Sequence, residues 1–247
     1  IKINQLLKNL NFKTAFIKKK YRDQEDEQKI LSTHGKLFCK NNRIDALKDA
    51  INENIEVAIV DDGLQDKTLS YDITFVCFNS QSWVGNNLCI PSGPLREDLK
   101  NINKYDAVFL NGNGENTVKI ENILKNIKPD LEIFNAEYVP LNNNKININQ
   151  NYLVFSGIGN PDSFLKTLKK NNFKIVKNLN FPDHYNYSNK DIIKIKEMAK
   201  NLKAKILTTE KDYNRLNKLN AEDIDFLKIE LKIINEKQLI NFLNKKL

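Results

Sequence analysis

The chain has 247 residues, 40% hydrophobic and 28% charged, with a formal net charge of +8. That composition excludes a disordered tail and supplies enough apolar side chains for one large or two modest domains. No apolar run approaches the roughly 18 residues of a membrane span, and three cysteines without metal-ligand spacing exclude a disulfide framework.

Lysine supplies 35 of the 39 basic residues. The basic excess therefore reads as solvated lysine, and no nucleic-acid partner is expected. Stretches such as Lys18-Lys19-Lys20 and Lys169-Lys170 are expected to be solvated faces. The four arginines, Arg22, Arg43, Arg96 and Arg215, stand out against this background. Arginine offers a planar, bidentate fork that lysine cannot copy.

In chain order, residues 2–10 place Ile3, Leu6, Leu7 and Leu10 at helical spacing, and residues 12–17 read as a strand. A charged loop over 21–28 leads into a short helix. Residues 43–52 form a second helix, and Val57-Ala58-Ile59-Val60 is a buried strand. Strands follow at 73–78, 105–110 and 131–139, with a Gly- and Pro-punctuated loop over 79–98 and a helix over 118–127. Cys77, inside an apolar strand pattern, is expected in the core. Residues 141–151 are polar and Asn-rich, and read as a link between domains. Beyond them come strands at 152–155, 173–176, 204–208 and 226–234, and helices at 161–170, 191–202 and 237–243.

Apolar strands alternating with helices predict an α/β fold, a mostly parallel sheet flanked by helices, with a second, smaller α/β domain. The expected partition is residues 1–140, a linker over 141–151, and residues 152–247.

Six short segments offer chemistry. The strand at 57–60 runs into Asp61-Asp62-Gly63-Leu64-Gln65. Carboxylates beyond the carboxyl end of a parallel strand can hold Mg²⁺, and an Asp-Gly turn explains the same letters equally well. The loop Pro91-Ser92-Gly93-Pro94-Leu95-Arg96-Glu97 presents Arg and Glu side by side, as a phosphate clamp and metal-side acid or as a surface ion pair. Phe181-Pro182-Asp183-His184-Tyr185 sets one of only two histidines after a proline turn, suiting proton transfer or simple packing. Asp26-Glu27 fits the acidic first turn of a helix. Thr208-Thr209-Glu210-Lys211-Asp212 fits a helix cap. Ser156-Gly157-Ile158-Gly159-Asn160-Pro161 is a tight strand-to-helix turn without the third glycine of a dinucleotide fingerprint. A phosphate-cradling GxxxxGKS/T sequence is not found in the 247 residues.

The order of these segments, taken together, resembles the tetraacyldisaccharide 4′-kinase family from about residue 3 to about residue 240. The resemblance implies transfer of the γ-phosphate of ATP to the 4′-hydroxyl of a lipid A precursor disaccharide, with Mg²⁺ bridging the phosphates. It implies a peripheral place on the cytoplasmic face of a Gram-negative inner membrane. By motif it casts Asp26 as the base and His184 as its partner across the domain cleft. Asp61 and Asp62 become the Mg²⁺ acids, Glu97 a further metal-side carboxylate, Arg96 and Arg43 phosphate contacts, and Gln65 a site-lining residue.

Two departures accompany the resemblance. Asp66 stands where members commonly place His. In the family a phosphate-cradling loop precedes the first helix. That loop and a membrane-associating helix are therefore expected upstream of Ile1, and the 247 residues are expected to be an inactive fragment. A non-catalytic module binding an anionic glycolipid or membrane surface is the alternative, and an NTPase with an unrelated substrate is a third reading.

Overall fold

The computed structural model describes residues 1–21, 25–112, 116–141, 146–216 and 221–247. Arg22 and residues 142–145 of the expected linker lie outside the described residues. The elements run α1 (Lys2–Asn9), β1 (Thr14–Lys19), α2 (Glu25–His34), β2 (Lys36–Lys40), α3 (Arg43–Asn52), β3 (Val57–Val60) and β4 (Phe75–Asn79). A 3-10 turn (Leu99–Lys104), β5 (Ala107–Asn111), α4 (Thr117–Ile127), β6 (Glu132–Pro140), β7 (Asn151–Ser156) and α5 (Pro161–Lys170) follow. The chain then adds β8 (Lys174–Asn180), α6 (Asn189–Asn201), β9 (Lys205–Thr209), α7 (Glu210–Arg215), β10 (Ile224–Leu227), β11 (Ile229–Ile233) and α8 (Glu236–Lys246).

The chain divides into two compact units, Ile1–Asp62 with Val139–Glu230, and Gly63–Tyr138 with Leu231–Leu247. These units do not follow the partition read from the sequence, because each is discontinuous along the chain. In the first unit, one sheet has the order β2-β1-β3 and another the order β10-β9-β7-β8, with every recorded strand pair parallel. The third sheet, β11-β6-β5-β4, pairs β4, β5 and β6 in parallel.

Central parallel strands are covered on both faces, so they carry continuous rather than alternating apolar residues. Ala15, Phe16 and Ile17 of β1 and Tyr152 to Phe155 of β7 are each at most 1% exposed. Fully burying the Phe, Ile, Leu and Val side chains among these contributes roughly 1.5–3 kcal/mol apiece. The helices start where side chains supply caps. Asn42 accepts from the Asp45 amide before α3, Asn160 from the Ser163 amide before α5 with Pro161 in its first turn, and Ser188 and Asp191 form a capping box before α6.

The expected helices at 43–52 and 161–170 and the strand at 57–60 match the structure end for end, but that strand is not buried as expected: it lies at the edge of its sheet, with Ala58 exposed. Other expectations need correction. Two strands, β10 and β11, replace the single strand expected over 226–234, because their neighbours lie in different sheets. Cys77 is exposed rather than in the core, since β4 is an edge strand. Lys18 is buried, not solvated.

Candidate active site

Asp26, Arg43, Asp61, Asp62 and His184 belong to the first unit, and Gln65, Arg96 and Glu97 to the second. The sequence placed Asp26 and His184 in different domains, whereas the structure places both in one compact unit.

Asp61 and Asp62 follow β3 directly, at the carboxyl end of a parallel sheet. Asp62 adopts φ +50°, a left-handed conformation that Asp tolerates better than most residues. Arg43, at the start of α3, is buried, and its Nη2 donates to the carbonyl oxygens of Asp62 at 2.7 Å and Asp61 at 3.3 Å. The guanidinium thus braces the main chain that carries the two acids.

Lys18, at the end of β1 and only 3% exposed, donates to Asp61 Oδ2 at 2.6 Å and to Glu27 Oε2 at 3.0 Å. Lys211 of α7 donates to the other oxygen of Glu27 at 2.7 Å. Burial alone would lower the Lys18 ammonium, but the hydrogen bonds and charges of Asp61 and Glu27 raise it above its ordinary value. Burial likewise raises the Glu27 carboxyl, yet Lys211 and Lys18 together bring it down to about 2.

That shift predicts an acid-sensitive link. The folded-state value lies below the ordinary 4.5, so Glu27 contributes stability above pH 4.5 and loses it as pH falls toward about 2. The shift corresponds to a contribution on the order of 3 kcal/mol. Urea titrations of the parent and Glu27→Gln proteins should differ most above pH 4.5 and converge toward pH 2. A constant gap across that range would remove the ion pairs as its source.

Asp26 is 7% exposed and stands in the first turn of α2. Arg215 Nη2, from α7, donates to its Oδ2 at 2.7 Å and lies 3.4 Å from His184 Nδ1. Among the described residues Asp26 and His184 form no direct hydrogen bond, and Arg215 is their shared partner. His184 sits at φ +56°. Its amide donates to the Gly157 carbonyl at 3.1 Å and to Asp183 Oδ1 at 2.9 Å.

Gly157 is the node of this arrangement. Its amide donates to Asp212 Oδ1 at 3.1 Å, and its carbonyl also accepts from Arg215 Nη1 at 2.7 Å. A Cβ at this position would meet Tyr187 Oη at 3.0 Å and the Pro182 carbonyl oxygen at 3.1 Å. The loop carrying His184 therefore needs glycine opposite it. Ring packing holds the same loop, with Phe181 4.8 Å from Tyr185 and Tyr187 5.3 Å from Phe155 between centroids. Burial, and then the charge of Asp212, pushes the Tyr187 phenol upward, which keeps it a neutral donor.

In the second unit, Gln65 joins two neighbours. Its Oε1 accepts from Arg96 Nη1 at 3.3 Å, and its Nε2 donates to Glu97 Oε1 at 3.1 Å. Tyr105 and Asn101 also donate to Glu97 at 3.0 Å. The Gln65 hydrogen bond leads the lowering of the Glu97 carboxyl, against burial, with help from Tyr105 and Asn101. Burial and the Glu97 contact push the Tyr105 phenol up to about 12. The preceding loop is clamped by Leu95 N–H to Leu88 O and Ile90 N–H to Leu95 O, and Gly93 packs where a Cβ would collide with the Leu88 carbonyl oxygen. Asp66 closes a turn by accepting from Thr68.

A family model described as tetraacyldisaccharide-1-P 4′-kinase matches residues 13–247. The chain belongs to the tetraacyldisaccharide 4′-kinase family. It is 51% identical over 245 residues to a tetraacyldisaccharide 4′-kinase of Pelagibacter ubique, covering 99% of this chain and 78% of that one. A Rickettsia typhi tetraacyldisaccharide 4′-kinase is 38% identical over 213 residues, covering 85% of this chain. This chain spans 64% of that relative's length. The fold is similar to that of Aquifex aeolicus LpxK, crystallised in complex with ATP, with a TM-score of 0.70 at 21% identity over 99% of this chain and 82% of that chain. In the sequence of this 4′-kinase family member Lys18 carries the signal of a solvated lysine run, and Glu27, Lys211 and Asp212 fall in segments whose letters fit helix starts, so none of the four stands out as a site residue. Arg215 was visible there only as one of four arginines.

Proposed function

We propose that this protein transfers the γ-phosphate of ATP to the 4′-hydroxyl of a tetraacyldisaccharide 1-phosphate in lipid A biosynthesis. The observation that carries this reading is the buried Asp26 carboxylate, held at one oxygen by the guanidinium that also meets His184, in a chain of this family. Asp26 takes the proton of the acceptor hydroxyl, and His184 assists from the loop at 181–187.

Asp61 and Asp62 suit Mg²⁺, a hard cation that commonly takes one or two carboxylates and completes its shell with water and phosphate oxygens. No group of three or more His, Cys, Asp or Glu among the described residues is placed to hold a metal, and Mg²⁺ requires no such cage. Asp61 and Asp62 would hold such an ion, which would supply charge neutralisation for the transferring phosphates. Arg43 holds the turn in place. In the second cluster, Gln65 orients Arg96 toward phosphate and Glu97 as a further metal-side carboxylate. The first compact unit supplies Asp26, His184, Asp61 and Asp62.

The substrate is lipid-linked, so the enzyme works peripherally at the cytoplasmic face of the inner membrane, where its net positive charge favours an anionic surface. Among the described residues no helix is long and apolar enough to cross a membrane.

The test supplies the complete gene product containing this chain with γ-labelled ATP, Mg²⁺ and the disaccharide 1-phosphate. Label on the 4′-oxygen is expected. ATP hydrolysis indifferent to the lipid, with no labelled lipid, would overturn the assignment.

A further inference from the structure

We propose that Arg215 is a positioning residue of this reaction, fixing which oxygen of Asp26 meets the acceptor hydroxyl and which nitrogen of His184 carries a proton. The inference rests on Asp26 acting as the base proposed above.

The Arg215 side chain is 10% exposed and closes α7. One planar group reaches partners on three other segments and its own helix. Nη2 donates to Asp26 Oδ2 at 2.7 Å, and Nη1 donates to the Gly157 carbonyl at 2.7 Å and to Asp212 Oδ1 at 3.0 Å. Asp212, fully buried, accepts in turn from the Gly157 amide and from the Tyr187 and Thr209 hydroxyls. The plane of the guanidinium is thereby set before any substrate arrives. A lysine offers a point charge and cannot span this set.

Two consequences follow for the chemistry. Asp26 Oδ2 is committed to Arg215, and no described residue hydrogen-bonds to Oδ1. The proton leaving the acceptor hydroxyl therefore arrives at Oδ1, neutralising the carboxylate while Arg215 keeps its charge. The hydroxyl oxygen's electron pair forms the new bond to phosphorus, and the bond from phosphorus to the departing ADP oxygen breaks. Second, a guanidinium has donors only. Its 3.4 Å approach to His184 Nδ1 is favourable only when that atom presents its lone pair, which leaves the ring proton on Nε2. His184 thus offers a donor away from Arg215.

A purely structural tether is a poorer account of these contacts. The Lys211–Glu27 pair, four residues earlier on α7, already ties α7 to α2 at 2.7 Å. Arg215 adds no new connection between the helices. It adds control of the carboxylate and the imidazole.

The test is a double-mutant cycle in the complete gene product, using Arg215→Ala, Asp26→Asn and their combination, with kcat, KM for both substrates and Tm recorded. Arg215→Ala is expected to lower kcat by about 100-fold with KM values within about 3-fold. In the Asp26→Asn background its removal should cost less than about 3-fold more. Arg215→Lys, which keeps the charge and guards against loss of folding, should hold Tm near the parent value yet recover under about a tenth of kcat. The same fractional loss with and without the Asp26 carboxylate would overturn the inference, as would full turnover in Arg215→Lys. Normal turnover in Asp26→Asn alone would instead remove the base assignment itself, and this inference with it.

Discussion

Asp212→Ala is expected to destabilise the protein by about 3–5 kcal/mol, the scale seen when one member of a buried, hydrogen-bonded charge pair is deleted. Asp212 is fully buried, Gly157 and Tyr187 are buried beside it, Arg215 is 10% exposed and Thr209 is half-buried. Its Oδ1 serves the Gly157 amide at 3.1 Å, Tyr187 Oη at 3.0 Å and Arg215 Nη1 at 3.0 Å, while Oδ2 takes the Thr209 hydroxyl at 2.6 Å. Alanine leaves all of these donors without that acceptor, in a region packed by Phe155, Tyr187 and Leu216. Each stranded buried donor costs roughly 1–3 kcal/mol before relaxation. Asp212→Asn keeps an acceptor oxygen for the Gly157 side but turns a donor toward Thr209, so its loss should be smaller than that of alanine. Urea denaturation followed by far-ultraviolet circular dichroism measures both. A loss under about 1 kcal/mol for the alanine variant would show that the network relaxes without its centre.

Asp61→Asn is the second large effect, this time on turnover. Alanine at this position would confuse two causes, because the buried Lys18 ammonium would keep Glu27 as its partner but lose the 2.6 Å contact to Asp61. Asparagine preserves a carbonyl oxygen for Lys18 while removing the negative charge. Folding should be largely retained and kcat should fall by roughly 10²–10³-fold, the range for losing one preorganised electrostatic group at a reacting centre. Because a neutral amide holds Mg²⁺ less firmly than a carboxylate, the Mg²⁺ concentration giving half-maximal rate should rise. Parent-like turnover at low Mg²⁺ would mean that the end of β3 is a turn and not a metal site.

The readability of this chain followed the range of the forces involved. The bounds of α3 and α5 are encoded locally, in Asn42 and in Asn160-Pro161, and the residues just before each helix announce it. Central strands such as β1 and β7 show as apolar runs, and β3, though at an edge, shows the same way because four apolar residues stand between polar letters. β2 does not, because five residues of an edge strand with lysine at both ends carry little pattern. The break between β10 and β11 falls at Lys228 because two sheets compete for one run of sequence. The site was legible as motifs but not as contacts. Asp26 and Arg215 are 189 positions apart, and Lys18 and Asp61 are 43 apart, so neither periodicity nor spacing reports their pairing. Lys18 looked like part of a solvated lysine run because its burial comes from what packs around it. Composition did leave one clue to Arg215, since a chain rich in lysine keeps few arginines.

The left-handed backbone at Asp62 and His184 bears on how any mutational scan of this protein is interpreted. At φ +50° and +56°, an alanine pays a conformational penalty that asparagine and glycine largely avoid. An alanine variant at either position reports the sum of a lost functional group and a reluctant main chain, and the two cannot be separated from one rate. Asparagine keeps the backbone's preference and changes only the chemistry, while glycine changes the chemistry and loosens the chain. At these two positions the choice of replacement decides which quantity the assay measures.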